Sequence, residues 1–213
     1  MIRAGAPAAR ATAGIVLLHG RGGSAADILS LLAHAGLPEV AARAPQAPGN
    51  SWWPTSFLAP AARMAPFVAQ GIAAATDALA ALEAEGIPRH RLWLGGFSQG
   101  ACLALETFAR VGEGLAGVFG LSGGLVGLED TGAPSPALYG HADKTLAYPG
   151  RRDGARVWIS VHERDPHIPL RRVEDSAAAL TAMGATVETR VHPGAGHGVM
   201  QADLAALRAA LNG

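Results

Sequence analysis

The sequence predicts an α/β fold: a mostly parallel, doubly wound sheet with helices on both faces, in a single domain over residues 1–213. Three observations carry this. Short apolar runs with β-branched members alternate along the chain with patterns of helical period, the order expected of βαβ units. The turn Gly96-Phe97-Ser98-Gln99-Gly100 joins one such run directly to one such pattern. A chain of 213 residues with 49% hydrophobic content can also bury one sizeable core.

Residues 1–10 read as a loose lead-in or a short edge strand. Ile15-Val16-Leu17-Leu18 is an unbroken apolar run, the pattern of a strand buried on both faces. After His19-Gly20-Arg21-Gly22-Gly23, Ser24 starts a helix with Asp27 in capping-box position. Ile28, Leu31, Leu32 and Ala35 give its buried stripe and Gly36 its stop. Glu39 to Ala44 is a weaker strand, followed by a proline-rich loop from Pro45 to Pro60 that holds Trp52, Trp53 and Phe57.

A long helix with Ile72, Ala75, Leu79 and Leu82 on one face closes at Gly86 and Pro88. The Arg91–Gly95 strand, the serine turn and the helix from Ala101 follow, then a strand over Leu115–Leu121. Residues 122–155 carry no periodicity that assigns an element; they form an irregular excursion and a candidate rim or lid. Arg156–Val161 is a strand, Val173, Ala177 and Leu180 mark a helix ending at Gly184, and Thr186–Val191 is the last strand. The loop His192–Gly198 leads to a final helix with Leu204, Leu207 and Leu211 on its face.

Composition excludes several classes. Seventeen basic and 17 acidic residues leave no charge excess, so no nucleic-acid or anionic-membrane partner is expected. Cys102 is the single cysteine, which excludes an internal disulfide and fits a reducing compartment. Gly14–Leu18 is too short for a signal-peptide core, and no run approaches a membrane span, so a cytoplasmic location is expected. A homodimer stays open. No metal-ligand spacing, P-loop or dinucleotide fingerprint is present, so no metal and no cofactor are expected.

The chemistry starts at Ser98. A G-x-S-x-G turn between strand and helix is the context of a nucleophile elbow, which holds the hydroxyl clear of the sheet. It puts the Gln99 amide at a helix N-terminus, where it faces a developing oxyanion. An activated serine needs a base, and the base an orienting acid. His197, between Gly196 and Gly198 after the last strand, is the favoured base, with His192 as runner-up. Asp165, after the 156–161 strand, is the favoured acid; Glu163 and Asp143 are the alternatives. The loop after the first strand would supply the second oxyanion donor, the Arg21 amide, while the Arg21 side chain is solvated or meets an anionic group. His19 is expected to bond nearby backbone. Cys102 reads as a buried small hydrophobe.

Five motifs then fall into register. Leu18-His19-Gly20-Arg21-Gly22-Gly23, Ser51-Trp52-Trp53-Pro54, Gly96-Phe97-Ser98-Gln99-Gly100-Ala101, Asp165-Pro166-His167-Ile168-Pro169-Leu170 and Gly196-His197 resemble the carboxylesterase/phospholipase family. This branch of the α/β-hydrolases includes acyl-protein thioesterases and small bacterial carboxylesterases. The resemblance implies a Ser98–Asp165–His197 triad acting on small-molecule esters or thioesters without a cofactor. It also implies an aromatic motif beside the acyl pocket, matched by Trp52 and Trp53, with Phe57 of the same loop joining them as a pocket candidate. The expected activity is hydrolysis of carboxylic esters with modest acyl groups. A thioesterase or lysophospholipase on the same machinery is the nearest alternative, and a catalytically silent binding module the alternative of another class.

Overall fold

A computed structural model describes residues 1–212. Its strands in chain order are β1 (Ile2–Gly5), β2 (Ala13–Leu18), β3 (Val40–Ala44), β4 (Leu92–Phe97), β5 (Gly117–Leu121), β6 (Asp130–Ser135), β7 (His141–Lys144), β8 (Arg156–Arg164) and β9 (Thr186–Ala195). The α-helices are α1 (Ala25–Ala35), α2 (Ala61–Ala84), α3 (Gln99–Val111), α4 (Leu170–Ala182) and α5 (Gln201–Leu211). Seven strands form one sheet in the order β1-β3-β2-β4-β5-β8-β9, parallel throughout except for β1, which pairs antiparallel with β3. This is the single-domain α/β-hydrolase architecture.

The apolar runs explain the layering. Side chains alternate across a strand, so Ile15 and Leu17 face α1 and α5, whereas Val16 and Leu18 face α2 and α3. β2 is buried along its whole length, which is why its sequence shows no polar alternation. Ser24 caps α1 as its pattern predicts: its hydroxyl accepts from the Asp27 amide at 3.1 Å, and the Asp27 carboxylate accepts from the Ser24 amide at 2.9 Å.

Three expectations need correction. β8 and β9 run past Val161 and Val191, because His162 pairs with His192 and, after a register shift, Arg164 with Ala195. Residues 162–164 and 192–195 are therefore strand, not loop. The excursion at 122–155 also contains a second sheet, the antiparallel pair β6–β7. Finally, α2 begins at Ala61 and is long and apolar enough, by length and composition, to cross a membrane. In the fold its Met64, Val68, Ala75, Leu79 and Leu82 pack into the core on one face of the sheet.

The β6–β7 hairpin is fastened to the body by charge. Asp130 accepts from the Ala61 amide at 2.9 Å, placing a carboxylate at the positive end of α2. Lys144, the only lysine, is buried and donates to the carbonyls of Phe57 (3.2 Å) and Ala59 (2.6 Å). Burial pulls its ammonium down to about 8. Glu106, wholly buried on α3, accepts from the Val126 amide (2.9 Å) and the Tyr148 hydroxyl (2.7 Å).

Candidate active site

β4 ends at Phe97 in the middle of the sheet, and Ser98 turns the chain into α3 with φ 55° and ψ −120°. That conformation costs a residue with a side chain about 1–3 kcal/mol and persists only where its surroundings impose it. They do so here. The Ser98 amide donates to the Leu121 carbonyl at 2.9 Å. A Cβ at Gly96 would lie 2.3 Å from the Gly100 carbonyl oxygen, and one at Gly100 would lie 2.0 Å from that of Leu18. The motif needs both glycines because strand and helix have no room for anything larger.

Ser98 Oγ lies 2.8 Å from His197 Nε2, and His197 Nδ1 lies 2.8 Å from Asp165 Oδ2. The carboxylate can only accept, so Nδ1 donates to it and Nε2 is left to accept from the serine hydroxyl. Asp165 is buried just beyond β8, and its other oxygen accepts from the amides of His167 (2.9 Å) and Ile168 (3.0 Å). Burial pushes this carboxyl up. The bond from His197 and those two amides outweigh burial and hold it below the usual carboxylate range. The His197 ring is wedged between Phe97, at 5.1 Å, and His167, edge-on at 4.9 Å. Ser122 donates to the Gly198 carbonyl at 3.3 Å and steadies the chain just after it.

The competing residues are engaged elsewhere. Asp143, on β7, accepts from Arg172 at 3.1 Å, and Glu163 accepts from the Gly194 amide at 2.9 Å. His192 is buried in β9 with Nε2 3.4 Å from Asp203, beside the His162 ring at 5.3 Å. Asp203 in turn accepts from Trp158 Nε1 (3.1 Å) and the Met200 amide (2.8 Å).

Gln99 is the first residue of α3, so its amide has no intrahelical acceptor and sits at the positive end of the helix. Its side chain is used differently: Oε1 accepts from the Trp52 amide at 2.8 Å, and Nε2 donates to the Trp53 carbonyl at 2.8 Å. The loop carrying Arg21 presses on the turn, since a Cβ at Gly20 would stand 3.4 Å from Ser98 Cβ. His19 fixes that loop as expected. Its Nε2 accepts from the Ala47 amide at 3.1 Å, so Nδ1 donates to the Gly20 carbonyl at 2.7 Å. Arg21 is exposed, and its guanidinium donates to the carbonyls of Pro54 and Thr55.

A cavity of about 670 Å³ opens over Ser98. Trp53 and Phe57 line it; Trp52 does not. The Trp52 indole is buried behind the wall, donating to the His19 carbonyl at 2.9 Å and stacking on the His19 ring at 5.3 Å. Cys102 is buried as expected, its thiol pushed up to about 12 by burial, yet it also forms part of the cavity floor. Tyr139 and His141 reach the rim from the hairpin region, and His167 reaches it from the acid loop. Of these, only His167 had a signal in the sequence, its place two residues after Asp165. Among the described residues, no group of three or more His, Cys, Asp or Glu is placed to hold a metal ion.

A solved structure described as a phospholipase/carboxylesterase from Dyadobacter fermentans DSM 18053 is 37% identical. It covers 100% of this chain and 95% of its own, with a TM-score of 0.86. Esterase PE8 is 27% identical, covering 99% of this chain and 96% of its own at a TM-score of 0.73. Acyl-protein thioesterase 1 of Gibberella zeae is 32% identical over 119 residues, 56% of this chain. Those residues are 46% of the relative, so the chain spans about half the length of the curated protein it matches. The sequence profile described as Phospholipase/Carboxylesterase matches residues 3–135, well over half of the chain, which therefore belongs to that family of α/β-hydrolases.

Proposed function

We propose that the chain is a serine hydrolase that cleaves carboxylic esters of modest acyl length through an acyl-enzyme on Ser98. One observation carries the reading: the Ser98 hydroxyl, the His197 ring and the Asp165 carboxylate are joined by two hydrogen bonds of 2.8 Å. His197 Nε2 takes the serine proton as Oγ attacks the ester carbonyl, and Asp165 holds the ring and balances the imidazolium. The amides of Gln99 and Arg21 receive the oxyanion. His197 then protonates the departing alcohol, and a water deprotonated by the same nitrogen releases the acid. Trp53, Phe57 and Ile168 supply apolar wall for the acyl group.

A thioester substrate is the second reading, favoured by the likeness to an acyl-protein thioesterase. The same steps serve it, since only the leaving atom changes.

The test is covalent. A fluorophosphonate is expected to add to Ser98, with peptide mass spectrometry locating the adduct, and Ser98→Ala is expected to lose both labelling and turnover of p-nitrophenyl esters. Loss of a triad nucleophile costs about 10⁶-fold in turnover where it has been measured, so residual activity near wild type would place the nucleophile elsewhere. A wild-type protein that neither labels nor turns over any ester or thioester would mark a silent binding module. A panel of acyl lengths, as oxygen and sulfur esters, separates the two enzyme readings.

A further inference from the structure

The two edges of the main sheet differ. β1 closes one side with four residues, a short strand of the kind that blunts an edge. β9 closes the other with ten, and Val187 through Val191 carry no strand on their outer side. Residues 188 to 191 are exposed, Val191 by 39%.

The register tells which backbone groups are free. The Thr186 amide donates inward, to the Ala155 carbonyl of the segment entering β8, at 2.9 Å. Direction alternates along a strand, so Glu188 and Arg190 also bond toward β8, while Val187, Thr189 and Val191 present their N–H and C=O groups outward. Pro193, the next outward position, has no N–H and ends the free ladder.

We propose that this edge pairs antiparallel with the same edge of a second copy, about a two-fold axis at Thr189. Such an interface is isologous, so every residue must suit its own mirror position. Here each does. Thr189 meets Thr189 of the partner subunit, and Val187 meets the partner's Val191, both as hydrogen-bonded pairs. Glu188 meets the partner's Arg190 as a non-hydrogen-bonded pair, where side chains approach most closely. Charges on an edge usually repel pairing, but a Glu and an Arg two residues apart attract under this one symmetry. The α5 surface beside the edge is built from Ala202, Ala205, Ala206 and Ala209, which leave space for a neighbouring subunit.

Sedimentation equilibrium on the full chain tests this without reference to the hydrolase reading. The wild type is expected to be a dimer in the micromolar range. Glu188→Arg and Arg190→Glu each set like charges opposite one another, and each is expected to weaken association roughly tenfold or more. Mixing the two variants is expected to restore a dimer, because every cross-strand pair of the mixed dimer then joins an arginine to a glutamate. Both substitutions combined in one chain are expected to do the same. Thr189→Pro removes an outward N–H without touching the β8 ladder and is expected to give a folded monomer. A wild type that stays monomeric at high micromolar concentration overturns the proposal. So does a dimer indifferent to the charge reversals, or single variants that fail to recover on mixing.

Discussion

His192 and His197 lie on one short segment, and each has a carboxylate at the ring, yet they are held in opposite ways. His192 is inside β9, with its Nε2 turned to Asp203, which already accepts from Trp158 and Met200. His197 lies beyond the strand, with Nδ1 spent on Asp165 and Nε2 left facing Ser98 in an open cavity. A histidine–aspartate contact is thus not by itself a catalytic signature. What decides is whether the second ring nitrogen reaches a reacting atom.

The largest expected effects break the working pair. Asp165→Asn is expected to fold and to lose turnover on the scale of ~10⁴, as when the orienting acid of a serine protease is neutralised. The measurement is kcat/KM alongside a thermal melt. His197→Ala is expected to lose at least as much. If Asp143→Asn caused the large loss instead, with the fold intact, the proposed triad would be wrong.

An intermediate effect is expected at Gly196, where the two regions touch. A Cβ there would stand 2.8 Å from the His162 ring, so Gly196→Ala has to displace either that ring or the loop that carries His197. Turnover is expected to fall about tenfold to a hundredfold, since small misplacements of catalytic groups are costly, with KM less affected.

The silent pair answers differently. Asp203→Asn is expected to change kcat/KM by less than about tenfold while costing about 1–3 kcal/mol of stability, because it disturbs a buried carboxylate with three donors. Urea unfolding reads the stability change, and an activity loss comparable to that of Asp165→Asn would erase the distinction.

The smallest effect is in pH. Asp165 titrates below its unfolded value, so its stabilising contribution is complete above about pH 4 and is lost as pH falls through the lower folded value. The stability advantage of the wild type over Asp165→Asn is expected to shrink in that acid window and to stay constant above it. A difference independent of pH would contradict this.

Much of this contrast is legible in the sequence, for identifiable reasons. The elbow glycines announce a close approach, and His197 has a glycine on either side after the last strand. Asp165 sits where a carboxyl-end loop has to be. The β6–β7 hairpin is not legible, because Asp130–Ser135 is mostly exposed and neither it nor the polar His141–Lys144 shows apolar alternation or a run. The extension of β8 and β9 is masked by His162 and His192, polar residues that nevertheless pair inside the sheet. Trp52 and Trp53 are chemically alike in the sequence, and only the fold tells the bracing one from the one that lines the cavity.

In the proposed mechanism Gln99 offers its main chain to the reacting oxygen, while its side-chain amide grips Ser51, Trp52 and Trp53. Rate and selectivity are therefore mechanically geared to one residue. Any attempt to widen the substrate range by reshaping residues 51–53 will tug on the catalytic turn. Diversity introduced at Ser56 and Phe57, which border the cavity without bonding to Gln99 or Arg21, is expected to change what enters with less disturbance of the turn. For directed evolution, that short stretch is the place to begin.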